Sequence, residues 1–283
     1  MDVEVRMRNI LKYSGSKWNI ARHLVELIPL HHSYVEPYFG SGAVLFSKPP
    51  SRIETINDLD SDVVNLFRCI QEDPEHLARL VMTTPYSREA YDTSFMTAPL
   101  TGIPSGDDRF HKACRFLARM WQAYGSRSDG YRSGWRYDAA CRERMYALWE
   151  WYALPEWIVE VAERLRKVQI EHRPALEVIR RFDNPDVFMY LDPPYLLGTR
   201  NRKQYRHEMD DSDHEELLEA VGKSHAKIMI SGYESDMYNR YLPGWRKAYF
   251  KSCADGGRAR QEVVWMNYEQ YTQMALWDME AGI

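Results

Sequence analysis

The chain has 283 residues, 45% of them hydrophobic and 28% charged, with a net charge of −4. This is the make-up of an ordinary soluble globular protein, long enough for one large domain or for a core domain that carries an insertion. No run approaches the roughly 20 apolar residues that span a bilayer, and residues 1–9 mix charges without a signal-peptide core, so a cytoplasmic protein with no membrane role is expected.

Ile20, Leu24, Leu27 and Ile28 recur at helical spacing, which predicts a helix over Lys17–Ile28 that Pro29 ends. Ser33–Glu36 is a short buried strand running into a glycine loop, and Ala43–Phe46 opens the next helix. A second strand, Ile53–Asn57, precedes a helix that buries Val63, Val64, Phe67 and Ile70. Strand, glycine loop, helix, strand and acidic residue form the first half of a doubly wound nucleotide-binding fold. The pattern changes over residues 73–155, where helical pieces surround a loop-like stretch, Gly125–Gly134. One helix there, Cys114–Tyr124, buries Phe116, Leu117, Met120, Trp121 and Tyr124, with Arg115 and Arg119 on its other side. A helix restarts at Glu156 with Pro155 at its start and buries Trp157, Ile158, Val161, Ala162 and Leu165. Alternation then resumes: strand Val168–Glu171, helix Ala175–Arg181, and the apolar strand Val187–Leu191, which delivers Asp192 at its end. Ser212 and Glu215 suggest a capping box for a helix over Asp213–Val221. Lys227–Ser231, Trp245–Phe250 and Glu262–Asn267 complete the strands. The expected architecture is a three-layer α/β catalytic domain, residues 1–72 and 156–283, interrupted by a mainly helical insertion over 73–155.

Cys69, Cys114, Cys141 and Cys253 are far apart and form no Cys-x-x-Cys pair, so reduced structural thiols are expected, and no metal site. Charge is unevenly spread. Between Arg109 and Tyr146 nine Lys and Arg face three Asp and Glu, a local net charge of +6 in an acidic chain. Such an island fits a surface facing phosphates, although a solvated face has the same composition.

The chemistry concentrates at two places. Glu36-Pro37-Tyr38-Phe39-Gly40-Ser41-Gly42 lies between a strand and a helix, where glycines admit a ligand close to the backbone and free N–H groups await it. Asn57-Asp58-Leu59-Asp60 ends the next strand, where an acidic residue accepts ribose hydroxyls or caps the following helix. These features suit a nicotinamide-linked dehydrogenase nearly as well as any other nucleotide enzyme. Asp192-Pro193-Pro194-Tyr195 breaks the tie. An exocyclic base nitrogen is a poor nucleophile because its lone pair is delocalised into the ring. A carboxylate accepting one of its N–H groups, with a backbone carbonyl taking the other, draws it towards tetrahedral geometry and aims it at a methyl group. Asp192 is the candidate carboxylate and Pro193 the candidate carbonyl; Pro194 stiffens the loop and Tyr195 offers a ring to an extruded base.

Taken in order, Leu11-Lys12-Tyr13-Ser14-Gly15-Ser16-Lys17, the glycine loop, the Asn57–Asp60 run, Tyr190–Tyr195, Ile230-Ser231-Gly232-Tyr233 and Glu262-Val263-Val264-Trp265-Met266-Asn267 resemble the D12 class of adenine-N6 DNA methyltransferases, which contains the Dam-type enzymes. The resemblance runs from about Leu11 to Asn267. It implies a Rossmann-like domain using S-adenosylmethionine, with double-stranded DNA as partner. The matching cofactor positions are Tyr13, Lys17, Glu36, Phe39, Gly40, Gly42, Asp58 and Asp192. Lys17 suits the cofactor's carboxylate and Asp58 its ribose hydroxyls. The insertion falls where the class reads its target, which makes Arg115, Arg119, Arg127, Arg132 and Arg136 the DNA-facing candidates. Arg206 joins them from a long segment after the tetrapeptide, Leu196–Asp211, expected to form a flap.

Two departures stand out. His172-Arg173-Pro174 occupies a place where many relatives carry an acidic residue, and Tyr38-Phe39-Gly40 stands where Phe-Gly-Gly is frequent. Among rivals, cytosine-C5 methylation needs a cysteine nucleophile, usually after proline, and no cysteine here follows one. Cytosine-N4 methylation poses the same chemical problem to the same tetrapeptide and stays open, as does a catalytically silent DNA-binding protein of the same fold.

Overall fold

The computed structural model describes residues 7–96, 107–125, 127–137, 146–199, 204–253 and 259–269. Seven strands form one sheet: β1 (Ser33–Glu36), β2 (Ile53–Asn57), β3 (Val168–Glu171), β4 (Val187–Leu191), β5 (Lys227–Gly232), β6 (Arg246–Cys253) and β7 (Ala259–Met266), in the order β3-β2-β1-β4-β5-β7-β6. The first five are parallel, and β7 pairs antiparallel with both β5 and β6. Strand order reverses between β1 and β4, and the C-terminal ends of strands at such a switch point are where open sheets bind ligands.

Two cores sandwich the sheet because successive strand side chains point to opposite faces. Tyr34, Ile56, Phe188 and Tyr190 face one core, whereas Val35, Met189, Leu191, Ile228 and Ile230 face the other. Central strands covered on both sides read as continuous apolar runs, and every residue of β4 is buried. The second core is closed by α8 (Ala175–Arg181), α9 (Asp211–Gly222) and α10 (Asp236–Tyr241). The first is closed by α1 (Ala21–Glu26), α2 (Ala43–Ser47), α3 (Ser61–Glu72), α4 (Pro74–Thr83), α6 (Asp108–Gln122) and α7 (Tyr146–Leu165), with α5 (Arg88–Thr93) packed on α6.

The strands follow the expected pattern, and the departures lie in the helices. The first helix spans only Ala21–Glu26, because Lys17 is drawn towards the sheet before it begins. In α6, Phe116, Leu117, Met120 and Trp121 are buried as expected, but Tyr124 is 48% exposed. There the chain turns extended at Ala123 and bridges to Trp135, with Tyr124 N donating to Gly134 O, so the helical face does not reach it. Helix α7 begins at Tyr146, not at Glu156, and Pro155 lies inside it. The apolar stripe Ala147, Trp151, Leu154, Ile158, Val161 and Leu165 overrides the loss of one backbone hydrogen bond at proline. The capping box of α9 is formed by Asp210 and Asp213, two residues ahead of the expected Ser212 and Glu215.

Residues 73–155 share the first core: Trp121 Nε1 donates to Ile10 O at 2.7 Å, and Trp151 Nε1 to Thr84 O at 3.0 Å. The division expected between residues 155 and 156 falls within the continuous α7. Cys69 and Cys114 are buried thiols, and burial pushes both up, to about 12 and about 11; Cys141 and the Cys253 side chain lie outside the described residues. Among the described residues, no helix is long and apolar enough to cross a membrane.

Candidate functional site: a carboxylate-lined cleft at the switch point

A cleft of about 270 Å³ opens at the C-terminal ends of β1, β2 and β4. The turn after β1 forms its floor. Gly42 is the left-handed N-cap of α2, and a Cβ there would stand 2.4 Å from the Phe39 ring and 2.6 Å from Phe46. At Gly40, also at positive φ, a Cβ would meet Tyr13 at 3.3 Å. Both glycines therefore serve a tight aromatic packing that shapes the cleft. Phe39 lines the cleft, yet its ring packs on Phe67 at 4.8 Å, in the core. Asp58, just past β2, accepts from Gly40 N and from Asp60 N at 2.8 Å each, and so pins the glycine turn. Neither Asn57 nor Asp58 caps α3; Asp60 does, accepting from Asp62 N. Asn57 is buried and ties Pro37 to Arg173 through its amide. After β3, where many relatives carry an acidic residue, the cleft wall is Pro174, Ala175 and Leu176.

Asp192 emerges from β4 into the same cleft. Lys17, 6% exposed, donates to Asp192 Oδ2 at 2.8 Å and to Gly15 O at 2.6 Å, and its Nζ lies 3.6 Å from Glu262 Oε1. The Tyr195 hydroxyl stands 3.3 Å from Asp192 Oδ1 and is hydrogen-bonded to Glu262 Oε1. The Tyr195 ring meets Tyr233 nearly at right angles, with centroids 4.6 Å apart, and carries the Lys17 ammonium 4.9 Å from its centroid. Glu36, at the end of β1, accepts from Tyr34 Oη at 2.7 Å.

Charge is scarce on the positive side of this cluster. Burial raises the pKa of Asp192, and Lys17 opposes it. Burial takes Glu36 to about 8 and Glu262 to about 7, and Asp58 to about 6 against its backbone N–H donors. Burial also works against the Lys17 charge, but Asp192 and then Glu262 outweigh it, leaving Lys17 well above the lysine norm. Raised carboxylates gathered in one cleft are a signature of proton-handling sites. Glu262 was part of a recognised motif but had no assigned role. Only a pairing of β7 against β5 brings it beside Asp192, 70 positions away in sequence.

From the segment after the tetrapeptide, Tyr205, His207, Glu208 and Met209 line the cleft. Tyr205 Oη donates to Ser14 O at 3.2 Å and its ring lies 6.0 Å from that of Tyr13. Arg200, Arg202 and Lys203 lie outside the described residues. The arginines divide into two groups. Arg206 binds Asp60 and Asp62 at 2.9 and 2.6 Å, and Arg119 binds the same Asp62 at 3.0 Å, so both face the cleft rim. Arg127 pairs with Asp129, and Arg115 donates to Met96 O at 3.1 Å. Arg132 is exposed beside Phe95, and Arg136 follows Trp135, whose ring stacks with Tyr137; among the described residues neither arginine is in an ion pair. Arg142 and Arg144 lie outside the described residues.

A switch-point cleft with a Lys-held aspartate just past a buried strand, followed by Pro-Pro-Tyr, defines an amino-group methyltransferase of Rossmann-like fold. Residues 13–247 match the family described as D12 class N6 adenine-specific DNA methyltransferase, and the chain belongs to that family. Its function is that of the class, methylation of adenine in DNA with a methyl donor. It is similar to the type II methyltransferase M1.LlaDCHI of Lactococcus lactis subsp. cremoris, 24% identical over 72% of each chain. The type II methyltransferase M.MjaIII of Methanocaldococcus jannaschii is 21% identical over 85% of this chain and 90% of its own. A DNA N-6-adenine-methyltransferase of Escherichia phage P1 is 27% identical over a quarter of this chain (26%) and 10% of its own.

Proposed function

We propose that the chain transfers the methyl group of S-adenosylmethionine to N6 of adenine within a specific duplex DNA sequence. The observation that carries this reading is Asp192, half-buried at the end of β4, held by Lys17, and open to a cleft that Glu36 and Asp58 also line. The cleft suits that donor. Glu36, Asp58 and Asp192 offer acceptors to a molecule bearing hydroxyl and ammonium groups. Ser14 Oγ is buried at the wall without a partner among the described residues, and Pro174 and Leu176 provide an apolar side for a purine. Tyr13, Lys17, Glu36, Phe39, Gly40, Gly42 and Asp58 are the residues that would hold it. Bound there, S-adenosylmethionine supplies a methyl group on a cationic sulfur.

The chain's own part is to prepare the nucleophile. Asp192 Oδ1 accepts one amino N–H and the Pro193 carbonyl the other, so nitrogen density turns away from the ring. Burial raises the pKa of Asp192, and Lys17 works against that rise. Tyr195 and Tyr233 present aromatic surface beside that point, and a base inside a duplex reaches it only by extrusion. Residues 73–155 form the DNA-reading part of this proposal, with Arg132, Arg136 and the Trp135–Tyr137 pair as its leading contacts. Arg119 and Arg206, committed to Asp60 and Asp62, are assigned to holding the cleft rim instead of phosphate.

The test is to treat unmodified genomic DNA with the protein and S-adenosylmethionine, then sequence it by a method that reads modified bases. N6-methyladenine at one recurrent sequence is expected. N4-methylcytosine, or no modification, would overturn the reading.

A further inference from the structure

Methylating an amino group that keeps its ring aromatic releases one proton for each methyl gained. The new nitrogen–carbon bond uses the nitrogen lone pair, the sulfur keeps the electrons of the bond that breaks, and the nitrogen must then shed hydrogen. The first base within reach is Asp192, but a proton that stays there removes the partner 2.8 Å from the buried Lys17 ammonium. A second carboxylate lies farther from that ammonium, at 3.6 Å, and is connected to Asp192 by one hydroxyl.

We propose that Glu262 is the final acceptor of the released proton, reached from Asp192 through the Tyr195 hydroxyl. This rests on the reading of the chain as an adenine-N6 methyltransferase. The transfer runs through three oxygens. The amino group gives its proton to Asp192 Oδ1. Asp192 passes a proton to Tyr195 Oη, and Tyr195 in the same movement gives its own to Glu262 Oε1. Tyr195 ends as it began, Asp192 is again a carboxylate facing Lys17, and the proton rests on Glu262. Once the base has left, the same route returns it to water.

Lys17 is the cation shared by Asp192 and Glu262. Tyr190, on β4 ahead of Asp192, is bonded to Ser231, and burial first raises its pKa well above the usual phenol value, so it stays neutral. On β5 the register partner of Glu262's neighbour Val263 is Gly232, on β6 the partner of Glu262 is Phe250, and Tyr233 meets Tyr195 edge-on. Glu262 itself is 3% exposed, so the Tyr195 hydroxyl is its link to the cleft. Burial, tempered by Lys17 and reinforced by Asp192, holds its pKa at about 7, close to where a proton acceptor works best in neutral solution. As a group acting through Tyr195, Glu262 is a positioning residue for the reaction.

Single-turnover methylation of unmodified genomic DNA with radiolabelled S-adenosylmethionine, from about pH 5.5 to about pH 9, tests this. The wild-type rate is expected to rise through one ionisation near neutrality. Glu262→Gln and Tyr195→Phe should each lower the rate tenfold or more, roughly, and remove that inflection, and the double variant should be no slower than the slower single. S-adenosylmethionine affinity, unchanged in Glu262→Gln, verifies the fold. Independently of turnover, carbon-13 carboxyl spectra of glutamate-labelled protein should show a carboxyl titrating near neutrality that disappears in Glu262→Gln and moves in Tyr195→Phe. A uniform rate loss with the wild-type pH profile kept, or no such titration, would overturn the relay. A wild-type protein that methylates no adenine would instead overturn the functional reading beneath it.

Discussion

Two buried ionic clusters lie on the first-core side of this molecule, and their charge balances are opposite. At Glu54 a single carboxylate is held by two cations, Lys48 at 2.6 Å and Arg164 at 2.8 Å, which join the turn after α2 and the edge of β2 to α7. At Lys17 a single cation is shared by two carboxylates, Asp192 and Glu262. The first arrangement overcomes burial and lowers the Glu54 pKa; in the second, burial prevails and both carboxylates rise. A carboxylate with surplus cations is fixed in one protonation state, whereas carboxylates short of cations exchange protons in the neutral range. The difference separates a structural tie from a reactive centre, although both use the same residue types.

Breaking each cluster should therefore have a different consequence. Asp192→Ala is expected to reduce methyl transfer by roughly a thousandfold or more, since it removes the acceptor that prepares the nucleophile, while melting and circular dichroism stay near wild type. S-adenosylmethionine binding should weaken without vanishing, because other cleft residues share it; near-normal transfer by the variant would contradict the mechanism. Glu54→Gln should do the reverse. It strands Lys48 and Arg164 side by side, at a cost of about 3 kcal/mol in chemical denaturation, yet transfer per folded molecule should be retained. A loss of transfer without loss of stability would erase the contrast between the clusters.

The smallest expected effect is in the pH dependence of stability. Glu36, Asp58 and Glu262 have folded pKa values above those of the unfolded chain, so the folded protein binds more protons between about 4.5 and about 8. The stability of the ligand-free protein owed to these groups is full below about pH 4.5 and is lost as pH rises through their folded values. Glu54 acts oppositely: its contribution is present above its unfolded pKa and is lost as pH falls through the lowered folded one. Melts across about pH 5.5 to 8 should show wild type losing more stability than Glu262→Gln, by at most about 1.4 kcal/mol per pH unit. Parallel curves would mean that Glu262 is charged throughout.

Most of the sheet was legible beforehand because buried parallel strands are continuous apolar runs, as in Val187–Leu191. Asp192, Lys17, Glu36 and Asp58 were found in the cleft because each sits at a strand end or beside a glycine turn, where local order and place in the sheet coincide. Legibility failed where a local signal met a tertiary one. Pro155 looks like a helix start until the apolar stripe of α7 is seen to run through it. Residue order shows a basic island over Arg109–Tyr146, but not that Arg119 within it pairs with Asp62 outside it, nor that Arg206, from the segment after the tetrapeptide, pairs with Asp60 and the same Asp62.

What the sequence by itself determined was the succession of strands and turns and the chemical identity of the tetrapeptide, since these depend on side-chain type and short-range spacing. Only the tertiary structure decided which charges neutralise one another. Lys17, Asp192 and Glu262 are far apart along the chain and meet because β1, β4, β5 and β7 lie side by side. Ionisation depends on burial and on distances of a few ångströms, and neither quantity is carried by residue order.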